Sequence, residues 1–288
     1  MFFDLNLPTN QLSAPELAAS LELLQKYGFK AAAQNTVVTK LNALRDSRRT
    51  PGLAPEVSQN TSDDSFRVLE RLTLVLGDDN LNMKMDVASN PKLNNYDLLA
   101  VRPETEKAFA HAANNCDVDI IQLDLSSRLP FYIKKTTVNT AVQKGIFFEV
   151  SYAPCIRDQN ARRNIIANIQ QLLRVTSGKN LILTSDAVKA LDLRSPLDIL
   201  NLAQVFGIPD NCARDALGKN CKSVLFHAAT RRDTMKGFVS VEPSSSLSDS
   251  VKWKLGDAPT EQELHFETNA DFVSFGDLSG FGDDDMDE

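Results

Sequence analysis

SRLPFYIKKTTVNTAVQKGIFFEVSYAPCIRDQNARR, residues 127–163, holds a strand between two helices. Its middle, IFFEVSY at 146–152, is a short apolar run rich in aromatic and β-branched residues, which reads as a buried strand. Before it lies a Thr-capped helix at 137–144, led by Lys134 and Lys135. After it, Asp158 is a natural N-cap for a helix whose apolar positions Ala161, Ile165, Ile169, Leu172 and Leu173 recur at spacings of three and four. A strand feeding a helix in this way is the unit of a parallel sheet.

The same unit recurs on both sides. Candidate strands lie at 2–7 (FFDLNL), 30–36, 68–76, 96–101, 118–125, 146–152 and 180–185, each followed by a helix or helical turn. The first helix, at 13–27, opens SAPE: Ser13 caps, Pro15 sits in the first turn, Glu16 completes a capping box, and Gly28 stops the helix. About seven repeats predict an α/β fold of TIM-barrel-like form, closed or nearly closed. The runner-up is a doubly wound sheet, although no Gly-rich fingerprint follows the first strand. Residues 46–66 are polar and rich in turn formers, and read as a surface insertion. The folded domain is expected to span 1–242. The tail, 243–288, is expected to be disordered because it is too charged and too poor in aliphatics to fold alone.

The net charge of −7 averages two unlike parts. Residues 249–288 carry 12 acidic side chains against Lys252 and Lys254, whereas residues 1–248 carry 26 acidic against 29 basic. The N-terminus has no basic start and no long apolar run, so an intracellular chain is expected. No stretch of about 18 apolar residues occurs, which argues against a membrane span. Cys116, Cys155, Cys212 and Cys221 are widely spaced, and small buried thiols are expected in place of zinc ligands or disulfides.

In a βα barrel the working residues lie just beyond each strand. At the first strand stand Asp4 and Asn6, where metal-dependent phosphoesterases of the polymerase-and-histidinol-phosphatase (PHP) barrel family place H-x-H. The chain has only His111, His227 and His265, in two predicted helices and the tail. Asp4, Asp124, Glu149 and Asp186 could still gather round magnesium, which keeps a metal phosphoesterase as the alternative. No nucleophile elbow or P-loop is present, and no catalytic residue, metal or cofactor is assigned. The positive signal is a group of guanidiniums. Arg162 and Arg163 sit in the first turns of the helix after Asp158, where the helix dipole disfavours cations, and Arg157 precedes the cap. An outside anion explains such crowding, and phosphate is the expected one. Lys134 and Lys135 fall on the neighbouring part of the same face. The competing reading pairs Arg162 with Asp158 and leaves the rest solvated. A second basic group, Arg231, Arg232 and Lys236, closes the last predicted helix, where cations also complement the dipole. Phe131 and Tyr132 are candidates for base stacking, with packing as the commoner role.

A collinear series of motifs then resembles one family. F-x-D-L-N-L at the start is followed by YDLLAVRPETEKAF, DVDIIQLDLSSRLPFYIKK, AVQKGIFFEVSYAPCIRD and ARR, then by LRSPLDILNLAQVFGI, NCKSVLFHAATRR and KGFVSV. Together they resemble the barrel-forming protein subunit of eukaryotic and archaeal ribonuclease P, shared with ribonuclease MRP. The resemblance implies a PHP-like barrel without the metal site, serving 5′-leader removal from precursor tRNA while the RNA carries catalysis. Ribosomal RNA processing is implied for the MRP particle. As partners it implies the ribonuclease P and MRP RNAs, precursor tRNA, a small ferredoxin-like protein subunit and other proteins of the particle. It also implies a nuclear, nucleolar location. Phe266, Phe272, Phe275 and Phe281 punctuate the acidic tail and suggest a further reading, docking on a protein partner.

Overall fold

The computed structural model describes residues 1–40, 66–81, 85 and 90–233. Seven parallel strands follow one another in chain order: β1 (Phe2–Pro8), β2 (Phe29–Val38), β3 (Arg67–Leu76), β4 (Leu98–Pro103), β5 (Ile120–Gln122), β6 (Phe147–Ser151) and β7 (Leu181–Thr184). Each pairs with the next, and the order never reverses. A doubly wound sheet requires such a reversal, so the runner-up topology falls. Where β1 and β7 approach, the Asp186 N–H donates to the Asn6 carbonyl at 3.0 Å. Ser185 adds its N–H to Asp4 Oδ1 at 3.0 Å and its hydroxyl to the Asn6 carbonyl at 3.1 Å. The result is a nearly closed barrel.

Around it run α1 (Ala14–Lys26), α2 (Glu106–Asn115), α3 (Lys135–Gln143), α4 (Ala153–Arg157), α5 (Gln159–Thr176), α6 (Pro196–Val205), α7 (Asp210–Leu217) and α8 (Lys219–Asp233). The expected start of α1 is present: the Ser13 N–H and hydroxyl both donate to Glu16 Oε2, at 2.9 and 2.6 Å. Gly28 ends that helix with φ +84°, a conformation costly for any side chain.

The period of two along the strands sorts the side chains into two environments. Leu7, Leu72, Leu74, Leu76, Leu99, Val101, Ile121, Phe148, Val150, Leu181 and Leu183 join one continuous core, which includes Ala161, Ile165, Ile169 and Leu172 of α5. Their neighbours in sequence, including Asn6, Arg71, Thr73, Gln122, Glu149 and Thr184, are also buried but polar, and belong to the lumen. Each lumen residue therefore needs a partner within the barrel.

Two boundaries differ from the sequence reading in an instructive way. β5 is three residues long, not eight, because Asp124 turns the chain: its Oδ1 accepts from the Ser126 N–H at 3.0 Å and from the Ser126 hydroxyl. α3 begins at Lys135, two residues earlier than expected, and its N-cap, Lys134, makes no side-chain cap. The threonines lie inside the helix, where Thr140 Oγ1 donates to the Thr136 carbonyl. The expected insertion lies outside the described residues except for Phe66, and Lys236 and the tail lie outside them entirely.

Helix α8 is clasped to the N-terminal end of the barrel. Asp119, just before β5, accepts from Arg231 Nε at 3.2 Å and Nη2 at 3.1 Å, and lies 2.8 Å from His227 Nδ1. Asp97, just before β4, accepts from Arg232 Nη1 at 2.8 Å. Both aspartates also take a strand N–H, from Leu99 and Glu70 respectively. The Asp119 hydrogen bond raises the pKa of His227 above its ordinary range.

Candidate nucleic-acid interface

Within the barrel, Arg71 and Glu149 form a salt bridge with both side chains fully buried. Arg71 also donates to the Leu5 carbonyl at 2.8 Å and to Thr73 Oγ1 at 3.2 Å. Glu149 Oε1 accepts from Asn6 Nδ2 at 2.7 Å and from Thr184 Oγ1 at 2.6 Å. Asn35 joins the two sides, donating to Asn6 Oδ1 and accepting from Thr73 Oγ1. Five strands thus contribute to one hydrogen-bonded network in which both oxygens of Glu149 are engaged. Arg71 supplies the positive charge that a metal ion would bring.

The alternative metal site does not assemble. Among the described residues, no group of three or more His, Cys, Asp or Glu side chains is placed to hold a metal ion. Asp124 is exposed and occupied with Ser126, away from Glu149 in its network. Asp4 faces the Ser185 and Asn6 N–H groups, and burial raises its pKa to about 6. Burial also raises Asp186, which sits at φ +52°.

Outside the lumen, the arginines after β6 occupy the C-terminal rim. Asp158 caps α5 by accepting from the Asn160 and Ala161 N–H groups at 3.0 and 3.3 Å. Arg162 does not turn back to it; its Nε donates to the Cys155 carbonyl at 3.0 Å, leaving the exposed guanidinium end on the rim. Arg163 is exposed and has no partner among the described residues. Arg157 reaches toward the Asp186 carbonyl at 3.5 Å and Asp192 at 3.8 Å. Lys135 is exposed, and Lys134 makes a surface pair with Glu106 at 2.7 Å. Such pairs are worth well under about 1 kcal/mol and yield readily to a phosphate. Phe131 packs, its ring stacked on Phe109 at 5.6 Å, whereas Tyr132 beside it is 68% exposed.

Arg231 and Arg232 of the second basic group serve the clasp at the other end of the barrel. The Arg231 side chain is 2% exposed and both of its bonded nitrogens reach Asp119, so it has no free face for phosphate. Arg232 is 16% exposed and held by Asp97. Sequence reasoning missed Arg71 as a lumen residue. The signal was present: in R-V-L-E-R-L-T-L-V-L the period of two puts Arg71 and Thr73 on the same face of a buried strand. An arginine there demands an anion.

Comparison with known proteins agrees with this geometry. The family model described as RNase P subunit p30 matches residues 1–233. The chain belongs to the ribonuclease P subunit p30 family. A family relative in Mus musculus, ribonuclease P protein subunit p30, is 38% identical over 187 residues, covering 64% of this chain and 69% of its own. The probable ribonuclease P protein subunit 3 of Schizosaccharomyces pombe is 32% identical and covers 83% of this chain and 98% of its own. The ribonuclease P/MRP protein subunit RPP1 of Saccharomyces cerevisiae is 25% identical over 87% of this chain and 88% of its own. A chain from a structure of archaeal ribonuclease P with mature tRNA has the same fold, with a TM-score of 0.60 at 11% identity, over 83% of this chain and 96% of that one. The p30 family fold therefore frames the sealed lumen and the arginine rim.

Proposed function

We propose that the chain is a non-catalytic protein subunit of the ribonuclease P ribonucleoprotein, supporting RNA structure and substrate binding while precursor tRNA loses its 5′ leader. In the MRP particle the same subunit serves ribosomal RNA processing. One observation carries this reading: the place a barrel enzyme would use for chemistry is sealed by the Arg71–Glu149 network, while Arg162 and Arg163 stand exposed on the rim. The names of the p30 relatives support the particle, and that of the yeast relative supports the MRP role. Lys134, Lys135, Arg157, Arg162 and Arg163 are the proposed phosphate contacts. Arg231 and Arg232 are left out because their aspartates already hold them. A small ferredoxin-like subunit among the partners, a PHP-like ancestry and a nuclear, nucleolar location belong to the same proposal, as does a domain limit near 242.

Affinity purification of the tagged chain should recover the RNA subunits of the two particles. Arg162→Ala combined with Arg163→Ala should weaken RNA binding and flatten the slope of log K against log salt by about 1 to 2, one counterion released per lost phosphate contact. An unchanged slope together with unchanged leader removal by the assembled particle would exclude these arginines as contacts.

A further inference from the structure

Between the loop after β5 and helix α5 lies a groove of about 440 Å³. Arg128, Leu129, Pro130, Phe131 and Tyr132 form one wall, and Asn164, Ala167, Asn168 and Gln171 form the other. The loop is held in place. Asn168 Nδ2 donates to the Leu125 and Ser127 carbonyls at 2.9 and 2.7 Å, and Asn164 Nδ2 donates to the Ser126 carbonyl at 3.1 Å. Phe131 anchors the far end on Phe109. Tyr132 is therefore a large aromatic ring left in solvent by a loop that is otherwise latched, with no partner for its hydroxyl among the described residues. Exposed rings fixed in this way are costly to hydrate and suited to stacking.

The cations and the amide acceptors round the ring are also uncommitted. Arg128 is exposed with no partner among the described residues. Arg163 stands one turn before Ala167 on the same ridge of α5, so a second free guanidinium borders the groove. One N–H of Asn164 and both of Asn168 are spent on the loop, but their side-chain carbonyls have no partner among the described residues and can accept from a base edge. Two free cations, an open ring and amide acceptors fit a nucleotide better than an apolar peptide.

We propose that this groove takes one unpaired nucleotide of a single-stranded RNA segment, its base stacked on Tyr132 and its flanking phosphates met by Arg128 and Arg163. The proposal rests on the RNA-associated reading above and adds a preference for unpaired bases. The test titrates the full-length chain with a fluorescent single-stranded RNA dodecamer and with a duplex of the same length. Tyr132→Ala should weaken single-strand binding about tenfold, the scale of one lost base stack, and change duplex binding less than about twofold. Tyr132→Phe should bind as the parent does, because the ring is kept, and Arg128→Ala should weaken both probes. Equal loss on both probes, or none in Tyr132→Ala, overturns the pocket while leaving the rim arginines standing. Failure of the unmodified chain to bind either RNA overturns the pocket and the rim together. If Tyr132→Ala binds RNA normally but releases a protein from the purified particle, the groove is a protein-docking surface and the proposal is refuted.

Discussion

Glu149→Gln tests whether the lumen network holds the barrel closed. The substitution keeps volume and shape, so no cavity forms, and it removes one charge from a pair whose two side chains are fully buried. The remaining amide carbonyl can accept from Arg71, or from Asn6 and Thr184 as Oε1 does now, but not from all three in the present geometry. Breaking a buried pair by removing one partner costs about 3–5 kcal/mol, because the other charge stays in the interior uncompensated. That is a fifth or more of the roughly 5–15 kcal/mol that stabilises a typical domain. At about 2–4 °C per kcal/mol for a domain of this size, the melting temperature should fall by about 6–20 °C. Urea unfolding followed by circular dichroism measures the loss directly. Arg71→Met and the double variant complete the cycle, and the double should cost less than the sum of the singles by about 1–3 kcal/mol. A loss below about 1 kcal/mol for Glu149→Gln, or strict additivity, would refute the network as a structural closure.

Two further perturbations separate the remaining charges. Burial raises Asp4 from 3.8 to about 6 in the folded chain only, so this group contributes a loss of stability as pH climbs from about 4 to 6, on the order of 3 kcal/mol and complete above that window. Asp4→Asn keeps a carbonyl for the Ser185 and Asn6 N–H groups and should exceed the parent by about 1–3 kcal/mol in urea at about pH 8, with the gap closing below about pH 4; a deficit that does not vary with pH would contradict this. Arg231→Ala should destabilise by about 3 kcal/mol, because the fully buried Asp119 loses its guanidinium, whereas Arg163→Ala should stay within about 0.5 kcal/mol. Equal thermal shifts for the two variants would refute the division between clasp and rim.

The strands were legible because their apolar content and period of two are local properties. All seven overlap the stretches where the sequence places them, and the largest change, at the end of β5, comes where Asp124 turns the chain. The start of α5 was equally legible, since Asp158 caps residues two and three positions away. What joins distant segments was not. Arg71 and Glu149 are 78 residues apart and Arg231 and Asp119 are 112 apart, and nothing in the local pattern of either member names its partner. For that reason the cations of α8 read as an open basic patch until the fold put Asp97 and Asp119 beneath them. Arg162 shows the converse: a pairing with Asp158 allowed by spacing is not made, because the cap already occupies both carboxylate oxygens.

The seam between the first and last strands has a consequence for how the chain is made. Strands β1 to β6 can each pair with a neighbour as it leaves the ribosome, but the contacts of Asp4 and Asn6 with Ser185 and Asp186 span about 180 residues. At roughly 5–20 residues per second, synthesis leaves that edge of β1 without its final neighbour for about 10 s or more. Until Thr184 follows, Glu149 also lacks that hydroxyl, and the lumen is open to water along one side. A nascent barrel of this kind presents an unpaired strand edge until Ser185 has emerged, and such an edge is a ready template for pairing with another chain.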